Sequence, residues 1–301
     1  MDQIARIRSF NRTLTRQIGA LDARFLGRDR SLGASRLLFE VGPGGSEIRQ
    51  LRARLGLDSG YTSRLLRTLE AEGLIRVGHA PDDARVRYVS LTPAGRKEVA
   101  ALDRLSDQAA ESMLQPLSER QRADLTSAMA AVERLLLASA VRVESEDAAG
   151  RPAQECLARY FEELATRFAA GFDPALSISA SAAELTPPRG FFVIARLNGE
   201  AVGCGALKCT TAGHGEIKRM WVADSCRGLG IGRRILHRLE DWARARRIRI
   251  LRLETNGTLT EAQSLYRSSG YREVPAFNDE PYAQHWFEKV LEGSALGPET
   301  R

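Results

Sequence analysis

The sequence predicts two domains of different fold class, a mostly α-helical domain followed by an α/β domain. A chain of 301 residues has the usual length of about two domains. Its apolar residues also change their spacing near residue 139, from the three-to-four-residue spacing of helices to a mixture of helices and alternating strands. We therefore place the two domains at residues 1–138 and 139–301.

The excess positive charge lies almost wholly in the first domain. Residues 1–138 contain 22 Lys and Arg against 17 Asp and Glu, which gives +5 of the net charge of +6 carried by the chain. A basic domain beside a nearly neutral one favours nucleic acid as a partner of the first domain alone. An Arg-rich composition without such a partner would give the same charge. Charge alone therefore does not establish nucleic-acid binding, and the sequence motifs are needed.

Composition argues against several other protein classes. No apolar run approaches the roughly 18 residues of a membrane-spanning helix, and residues 1–10 contain no apolar signal segment. The four cysteines, at positions 156, 204, 209 and 226, form no Cys-x-x-Cys pair. We therefore expect neither a metal site nor a disulfide framework, and we expect a cytoplasmic protein without membrane contacts.

The first domain begins with helical patterns over residues 2–26 and 34–42, and the second of these ends at a Gly-Pro-Gly-Gly sequence. A third helix starts at Ser46, its predicted cap, and a fourth follows Asp58, a predicted N-cap. The segments "LIRVGH" and "RVRYVSLT" alternate like two strands of a hairpin. Residues 93–138 return to helical spacing.

Two short helices joined by a tight turn and followed by a two-stranded ribbon form a winged helix-turn-helix. The second helix could enter a major groove, because its N-terminal end carries small polar and basic side chains while Leu65 and Leu69 face inward. Arginines at the ribbon tip suit a minor groove. For Tyr61, groove contact and packing are equally open. The predicted DNA-binding residues are Ser59, Tyr61, Thr62, Ser63, Arg64, Arg67, Arg85 and Arg87.

The string "LGLDSGYTSRLLRTLEAEGLIRVGHAPDDARVRYVSLTPAGR" resembles the MarR family of bacterial winged-helix regulators. Its most recognisable part is the Asp-x-Arg-x-Arg wing followed by "VSLTPAG". The resemblance extends over roughly residues 1–138, and it implies a homodimer, built by the flanking helices, on a pseudo-palindromic site in double-stranded DNA.

The second domain alternates strands and helices. Asn198-Gly199 lies between two apolar segments and is the strongest short hairpin signal of the chain. The predicted strands are 140–145, 190–197, 200–208, 214–223, 248–255, 271–274 and 284–291, and the predicted helices are 153–168, 231–247 and 260–270. The C-terminal residues 293–301 are predicted to be disordered.

Residues 227–232, "RGLGIG", have the alternating glycines of a loop that approaches a phosphate. A Walker loop would need Gly-Lys-Ser/Thr, but Gly232 is followed by two arginines. A dinucleotide fingerprint would need glycine at position 233, which is Arg. Glu254 lies near the place of a ribose-binding acid, yet too few residues follow it to complete a doubly wound sheet.

The loop resembles that of the GNAT acetyltransferases, which bind the pyrophosphate of acetyl-CoA there. "EIKRMWV" before the loop and "ETN" and "EAQSLYRSSGY" after it strengthen the resemblance, which covers nearly the whole second domain. It implies an α/β GNAT fold with a mixed, splayed sheet, and acetyl-CoA as co-substrate. The residues it assigns to acetyl-CoA are Met220, Trp221, Val222, Arg227, Gly228, Leu229, Gly230, Ile231, Gly232, Arg233 and Asn256.

The resemblance also assigns roles in acetyl transfer. Tyr266 matches the position of the general acid that protonates the leaving thiolate, and a backbone N–H near Val222 is the candidate donor to the thioester oxygen. Glu216 is the predicted general base, because it begins the strand beside the cofactor. A salt bridge to Lys218 or Arg219 is an equally open role for Glu216, and His214 and His285 are alternative bases.

The C-terminal string "YREVPAFNDEPYAQHWFEKVL" resembles one subset of GNAT enzymes, in which this region helps to form the acceptor site. Phe277, Asn278 and Tyr282 are the predicted acceptor-site residues. The sequence therefore predicts a DNA-binding transcriptional regulator joined to an N-acetyltransferase acting on a small-molecule or protein amine. The alternative is a regulator whose second domain only senses acetyl-CoA or a small ligand.

Overall fold

The structure is a computed structural model that describes residues 2–22, 24–80, 83–169, 171–178, 180–210 and 213–291. It divides into two compact units, residues 1–130 and 131–301. The division falls inside one helix, Glu119–Ala140, which also contains the predicted boundary at 138/139. The predicted C-terminal disorder lies outside the described residues, and the extent of each functional domain stays a prediction.

The first unit contains a winged helix-turn-helix. Its three-stranded antiparallel sheet has the order β1-β3-β2. The elements in chain order are α1 (Gln3–Gln17), α2 (Leu32–Val41), β1 (Ser46–Glu47), α3 (Ile48–Leu55), α4 (Ser59–Ala71), β2 (Ile75–His79), β3 (Arg87–Leu91), α5 (Pro93–Leu114) and α6 (Glu119–Ala140).

Local signals explain how α3 and α4 meet. Gly56 ends α3 in the left-handed conformation, with φ of 62°. Asp58 caps α4 by accepting a 2.8 Å hydrogen bond from the Tyr61 N–H. The predicted cap at Ser46 is wrong, because Ser46 pairs with Val89 in the sheet and α3 starts after Glu47.

The core of the first unit is built from leucines on the inner faces of its helices. Leu37 and Leu38 of α2, Leu51 of α3 and Leu69 of α4 are fully buried. At its edge the carboxylate of Glu98 binds the guanidinium groups of Arg28, at 2.5 Å, and Arg30. Hydrogen bonding to Arg28 lowers the pKa of Glu98.

The second unit is a seven-stranded mixed sheet of order β4-β5-β6-β7-β8-β10-β9. Its elements are β4 (Arg142–Ser145), α7 (Arg151–Arg167), β5 (Gly190–Leu197), β6 (Glu200–Cys209), β7 (His214–Val222), α8 (Ile231–Ala245), β8 (Ile250–Thr255), α9 (Thr260–Ser268), β9 (Arg272–Val274) and β10 (His285–Val290). The predicted Asn198-Gly199 hairpin joins β5 to β6, with both residues at positive φ.

Both faces of the central strands are covered. Phe191 and Val193 of β5 belong to one buried cluster with α8, whereas Phe192 and Ile194 belong to a second cluster with Cys156 of α7. Alternating side chains of one strand therefore pack into two separate cores.

The sheet opens at its centre. β7 and β8 are the parallel pair, and their pairing covers only residues 214–216 against 250–252. Beyond Glu216 the two strands separate, as the predicted splayed sheet requires. β7 also has a bulge opposite β6, where Arg219 has a φ of 59°. Among the described residues, the edge of β7 beyond Glu216 therefore has no partner in β8.

No helix among the described residues is both long and apolar enough to cross a membrane.

Candidate active site

The loop after β7 and the start of α8 present a row of free backbone donors. The Arg234 N–H is the first of α8 to bond within the helix, to Gly230 O at 3.1 Å. In the described part of the chain, the N–H groups of residues 228–233 have no acceptor. Six successive free donors at a helix N-terminus form a site for an anion.

Glycine makes this row of donors possible. Gly228 and Gly230 have φ of 77° and 73°, a region that other residues rarely adopt. A Cβ at either position would meet no atom within 4 Å, so the space beside both glycines is open to a ligand.

A groove of about 430 Å³ runs from this loop along β7 and α9. Its walls carry three arginines, Arg167, Arg227 and Arg233, and two glutamates, Glu163 and Glu261. The groove also contacts Met220, Trp221 and Val222, the end of β7 that β8 leaves unpaired. It therefore combines an anion site at one end with an exposed strand edge along its side.

Ion pairs hold the arginines of the groove. Arg227 binds Glu163, and it lies 3.0 Å from Asp224 and 3.8 Å from Glu261. Arg167 binds Glu261 and lowers the pKa of that carboxyl to about 2. A bound anion would therefore share these arginines with the carboxylates of Glu163, Asp224 and Glu261.

A second, smaller cavity of about 100 Å³ adjoins the groove. The residues that contact both spaces lie where the two meet, and they include two tyrosines: Tyr160, Leu164, Met220, Leu259, Ala262 and Tyr266. A group reacting between a ligand of the groove and a ligand of the smaller cavity would lie beside these tyrosines.

Tyr266 is suited to donate a proton at this junction. It is 5% exposed, and its hydroxyl makes no hydrogen bond with any residue that the structure describes. Burial raises its pKa well above the ordinary value of about 10, so the hydroxyl keeps its proton at neutral pH. Burial also raises the pKa of Tyr160 to about 12.

Two family models match the chain. The GNAT acetyltransferase family matches residues 156–271 and the MarR family matches residues 28–86. An IAA acetyltransferase of Azospirillum brasilense is 39% identical over 133 residues, which are 44% of this chain and 85% of that relative.

The chain belongs to the GNAT acetyltransferase family. It is an acetyltransferase that also contains a MarR-family segment.

The chain is also similar to solved structures that cover about half of it. A GNAT acetyltransferase of Staphylococcus aureus MU50 is 18% identical and covers 51% of this chain and 100% of its own, with a TM-score of 0.44. A probable transcriptional regulator from Pseudomonas aeruginosa is 27% identical and covers 44% of this chain and 97% of its own, with a TM-score of 0.37.

Most of the residues predicted to bind acetyl-CoA line the groove of this GNAT domain. Two do not. Leu229 packs against the α8 core, and Asn256 lines the smaller cavity, where its amide donates to Tyr282 O at 2.8 Å. The groove contacts the others: Met220, Trp221, Val222, Arg227, Gly228, Gly230, Ile231, Gly232 and Arg233.

The predicted base and most of the predicted acceptor-site residues lie outside the groove and the smaller cavity. Glu216 contacts neither space, and its carboxylate lies 3.3 Å from Lys218 Nζ, so it adopts the ion pair that the sequence left open. Tyr282 lines the smaller cavity, but Phe277 packs under Arg252, and Asn278 accepts a bond from Trp286 at 2.8 Å.

Four residues of the site were missed by the sequence analysis. Tyr160, Glu163 and Arg167 lie on α7, at a spacing that any amphipathic helix shows, so nothing marked them before the fold was known. Glu254 was considered only as a ribose ligand. In the structure Glu254 is one of the residues around the smaller cavity, and its carboxylate binds Lys218.

Only some of the predicted DNA-binding residues are exposed on the surface of the first unit. The structure contradicts the predicted DNA contact of Thr62. The residue is 2% exposed, and its hydroxyl donates to Asp58 O at 2.8 Å. Tyr61 is half-buried against the helical core. The exposed members of the set are Ser59, Ser63, Arg64, Arg67, Arg85 and Arg87.

Proposed function

We propose that this chain is a DNA-binding regulator and an acetyl-CoA-dependent N-acetyltransferase that acts on a primary amine. The observation that carries the enzymatic part is the row of free N–H groups at residues 228–233, which opens into a groove beside the unpaired end of β7. Acetyl-CoA has a diphosphate joined to an extended pantetheine arm. The diphosphate suits the helix N-terminus, and the arm suits the strand edge beside it.

The residues present fit acetyl-CoA. The loop donors and Arg233 would bind the diphosphate, and Arg227 would exchange part of its contact with Glu163 for a phosphate oxygen. Backbone groups of Met220 and Val222 would hold the pantetheine arm as an added strand. Bound acetyl-CoA supplies the acetyl group as a reactive thioester.

Tyr266 serves as the general acid in this proposal. A protonated hydroxyl at the junction of the two spaces can give its proton to the departing sulfur. In this proposal a backbone N–H near Val222, on the edge of β7 that β8 does not pair with, supplies the donor for the thioester oxygen. Glu216 as base stays a prediction that this geometry does not support, because its carboxylate is engaged by Lys218 outside both spaces.

The regulatory part rests on the first unit. The exposed arginines of α4 and of the wing would bind the phosphates and groove edges of double-stranded DNA. A homodimer is part of the proposal, since α1 has no buried residue and exposes Ile4, Ile7 and Phe10 by 66%, 59% and 43%. The four free cysteines agree with the reducing environment of the cytoplasm.

The test uses the full chain with acetyl-CoA and a panel of primary amines, and it measures free thiol release and acetyl-CoA affinity by calorimetry. We expect micromolar binding and turnover on at least one amine. Binding without turnover on any amine would support the sensor instead of the enzyme, and absence of binding would remove acetyl-CoA altogether.

A further inference from the structure

Tyr61 of α4 packs against a second helix of the first unit. It is half-buried against the core to which both α2 and α4 contribute. A Cβ at Gly33 of α2 would lie only 2.5 Å from the Tyr61 hydroxyl oxygen, so the phenol end is packed against that glycine. This contact at the far end of the side chain restricts how the ring can turn on the surface of α4.

The guanidinium group of Arg64 lies over the ring of Tyr61. The distance from Arg64 Cζ to the ring centroid is 5.7 Å, which is within the range of a cation–π contact. Arg64 is exposed, and in the described parts of the chain its guanidinium group has no carboxylate partner and no hydrogen-bond acceptor. The ring therefore holds the group while its five N–H donors stay available to a ligand.

A second pair in the first unit shows how Arg64 differs from an arginine that is already engaged. Arg36 of α2 also lies 5.7 Å from the centroid of an aromatic ring, that of Phe39. Arg36 is in addition ion-paired to Glu40 at 2.6 Å, which occupies donors of its guanidinium group. The contact of Arg64 with a ring is thus combined with free donors, at an exposed position of the helix proposed to enter the major groove.

We propose that α4 reads a guanine in the major groove through Arg64, and that Tyr61 is the positioning residue that holds the guanidinium group for this contact. The inference rests on the proposed DNA binding and adds a base preference to it. Guanine presents two neighbouring acceptors in the major groove, O6 and N7, which match two N–H donors of one guanidinium group. No other base offers two acceptors there.

A held side chain matters more for a base than for a phosphate. A phosphate contact carries no sequence information, whereas a bidentate contact with guanine requires a defined orientation of the guanidinium plane. An unrestrained arginine side chain loses rotamer freedom when it adopts that orientation. Because Tyr61 restricts Arg64 before DNA binds, we expect loss of the ring to reduce the preference for guanine.

The base preference is tested with the full chain and a DNA site that this chain selects from a random double-stranded pool. Fluorescence anisotropy measures Kd for the selected site and for versions in which each G·C pair is replaced by A·T. We expect a pair at which the parent chain prefers G·C at least about tenfold, and Arg64→Ala should lower this preference below about threefold. 7-Deazaguanine at that position lacks the N7 acceptor, so it should weaken binding by the parent chain but not by Arg64→Ala.

The role of Tyr61 is tested with Tyr61→Leu, which removes the ring and should also lower the preference below about threefold. Tyr61→Phe keeps the ring and should retain the preference. In the double variant Tyr61→Leu/Arg64→Ala, Kd should stay within about twofold of its value in Arg64→Ala, because Tyr61 acts through Arg64. Phe39→Leu removes the ring of the matched pair, and this control should bind DNA as the parent chain does. If circular dichroism showed Tyr61→Leu to be unfolded, Tyr61→Met would replace it, with the same expected loss.

The outcomes separate this inference from the function on which it rests. A parent chain that selects no DNA site would overturn the proposed DNA binding, and the inference with it. A selected site without a G·C preference that Arg64→Ala abolishes would overturn guanine reading while leaving DNA binding intact. If folded Tyr61→Leu kept the full preference, or if the two substitutions weakened binding independently, Tyr61 would not be the positioning residue.

Discussion

Tyr266 illustrates how surroundings decide the chemistry of a single residue. The resemblance assigned it the role of general acid, although its helix face near Leu265 is also one that a core residue could occupy. The structure supports both descriptions at once, since the ring packs against Tyr271 and Phe287 while the residue also lines the two spaces of the site. Glu216 shows the opposite case, in which a candidate base is held in an ion pair with Lys218.

Replacing Tyr266 by Phe should lower kcat by about 10²-fold or more, because the departing thiolate would lose its proton donor. The Kd of acetyl-CoA should stay within threefold, since the hydroxyl is not part of the anion site. Tyr271→Phe is the matched control, as Tyr271 is buried beside Tyr266 and contacts neither space. Steady-state kinetics and calorimetry measure both effects, and an unchanged kcat in Tyr266→Phe would remove the residue from the acid role.

Replacing Gly230 by Ala should abolish measurable acetyl-CoA binding. The new Cβ would project into the open space beside the free donors, and the backbone at φ of 73° would be strained by about 1–2 kcal/mol. Gly213→Ala controls for the strain alone, because Gly213 has a φ of 75°, similar open space and no place in the groove. Both variants should lose similar stability in thermal unfolding. If calorimetry showed that Gly230→Ala still binds acetyl-CoA, the loop would not be the diphosphate site.

The ion pair of Glu98 should make the stability of the first unit depend on pH. Because its folded pKa is lowered, Glu98 stabilises the fold above its unfolded pKa, near 4.3, and this contribution is lost as the pH falls through the lower folded value. Glu98→Gln should cost about 1–3 kcal/mol at pH 7 and less at pH 3, which lies below the unfolded pKa. Urea unfolding at the two pH values measures the difference, and an equal cost at both would show that charge is not the cause.

At the scale of secondary-structure elements, the sequence predicted most helices and strands because their signals are local. The Asn198-Gly199 hairpin, the Asp58 cap and the alternating glycines before α8 each specify backbone geometry within a few residues. Two features of the site could not be predicted in this way, because both need α7, which approaches the loop only in the folded chain. They are the ion pair of Arg227 with Glu163 and the smaller cavity. The cap predicted at Ser46 failed for a related reason, since pairing with the distant strand β3 takes up that residue.

The recognition helix α4 and the wing give a prediction for DNA binding. Arg64→Ala and Arg85→Ala should each weaken binding to a DNA fragment from the promoter of this protein's own gene. Each should also lower the slope of log K against log salt concentration by about 1, because each removes one phosphate or groove contact. Arg104→Ala is the control, because Arg104 is exposed and belongs to α5, not to α4 or the wing. Fluorescence anisotropy at several salt concentrations measures the effect. Equal affinities for all three variants and the parent chain would contradict a groove contact by these arginines.

At the scale of the whole molecule, the chain joins a basic helical unit to a nearly neutral α/β unit. The charge count and the change of hydrophobic period predicted this organisation from the sequence. The exposed apolar side chains of α1, which the first unit leaves uncovered, agree with the proposed dimer.

The proposed acetyltransferase activity depends on the N–H groups of residues 228–233 binding the diphosphate of acetyl-CoA. A crystal structure of the full chain grown with acetyl-CoA tests it most directly. We expect diphosphate oxygens within about 3.2 Å of at least three of these nitrogens, with the thioester beside Tyr266. Acetyl-CoA bound elsewhere, or loop N–H groups that instead donate to other protein atoms, would contradict this binding mode.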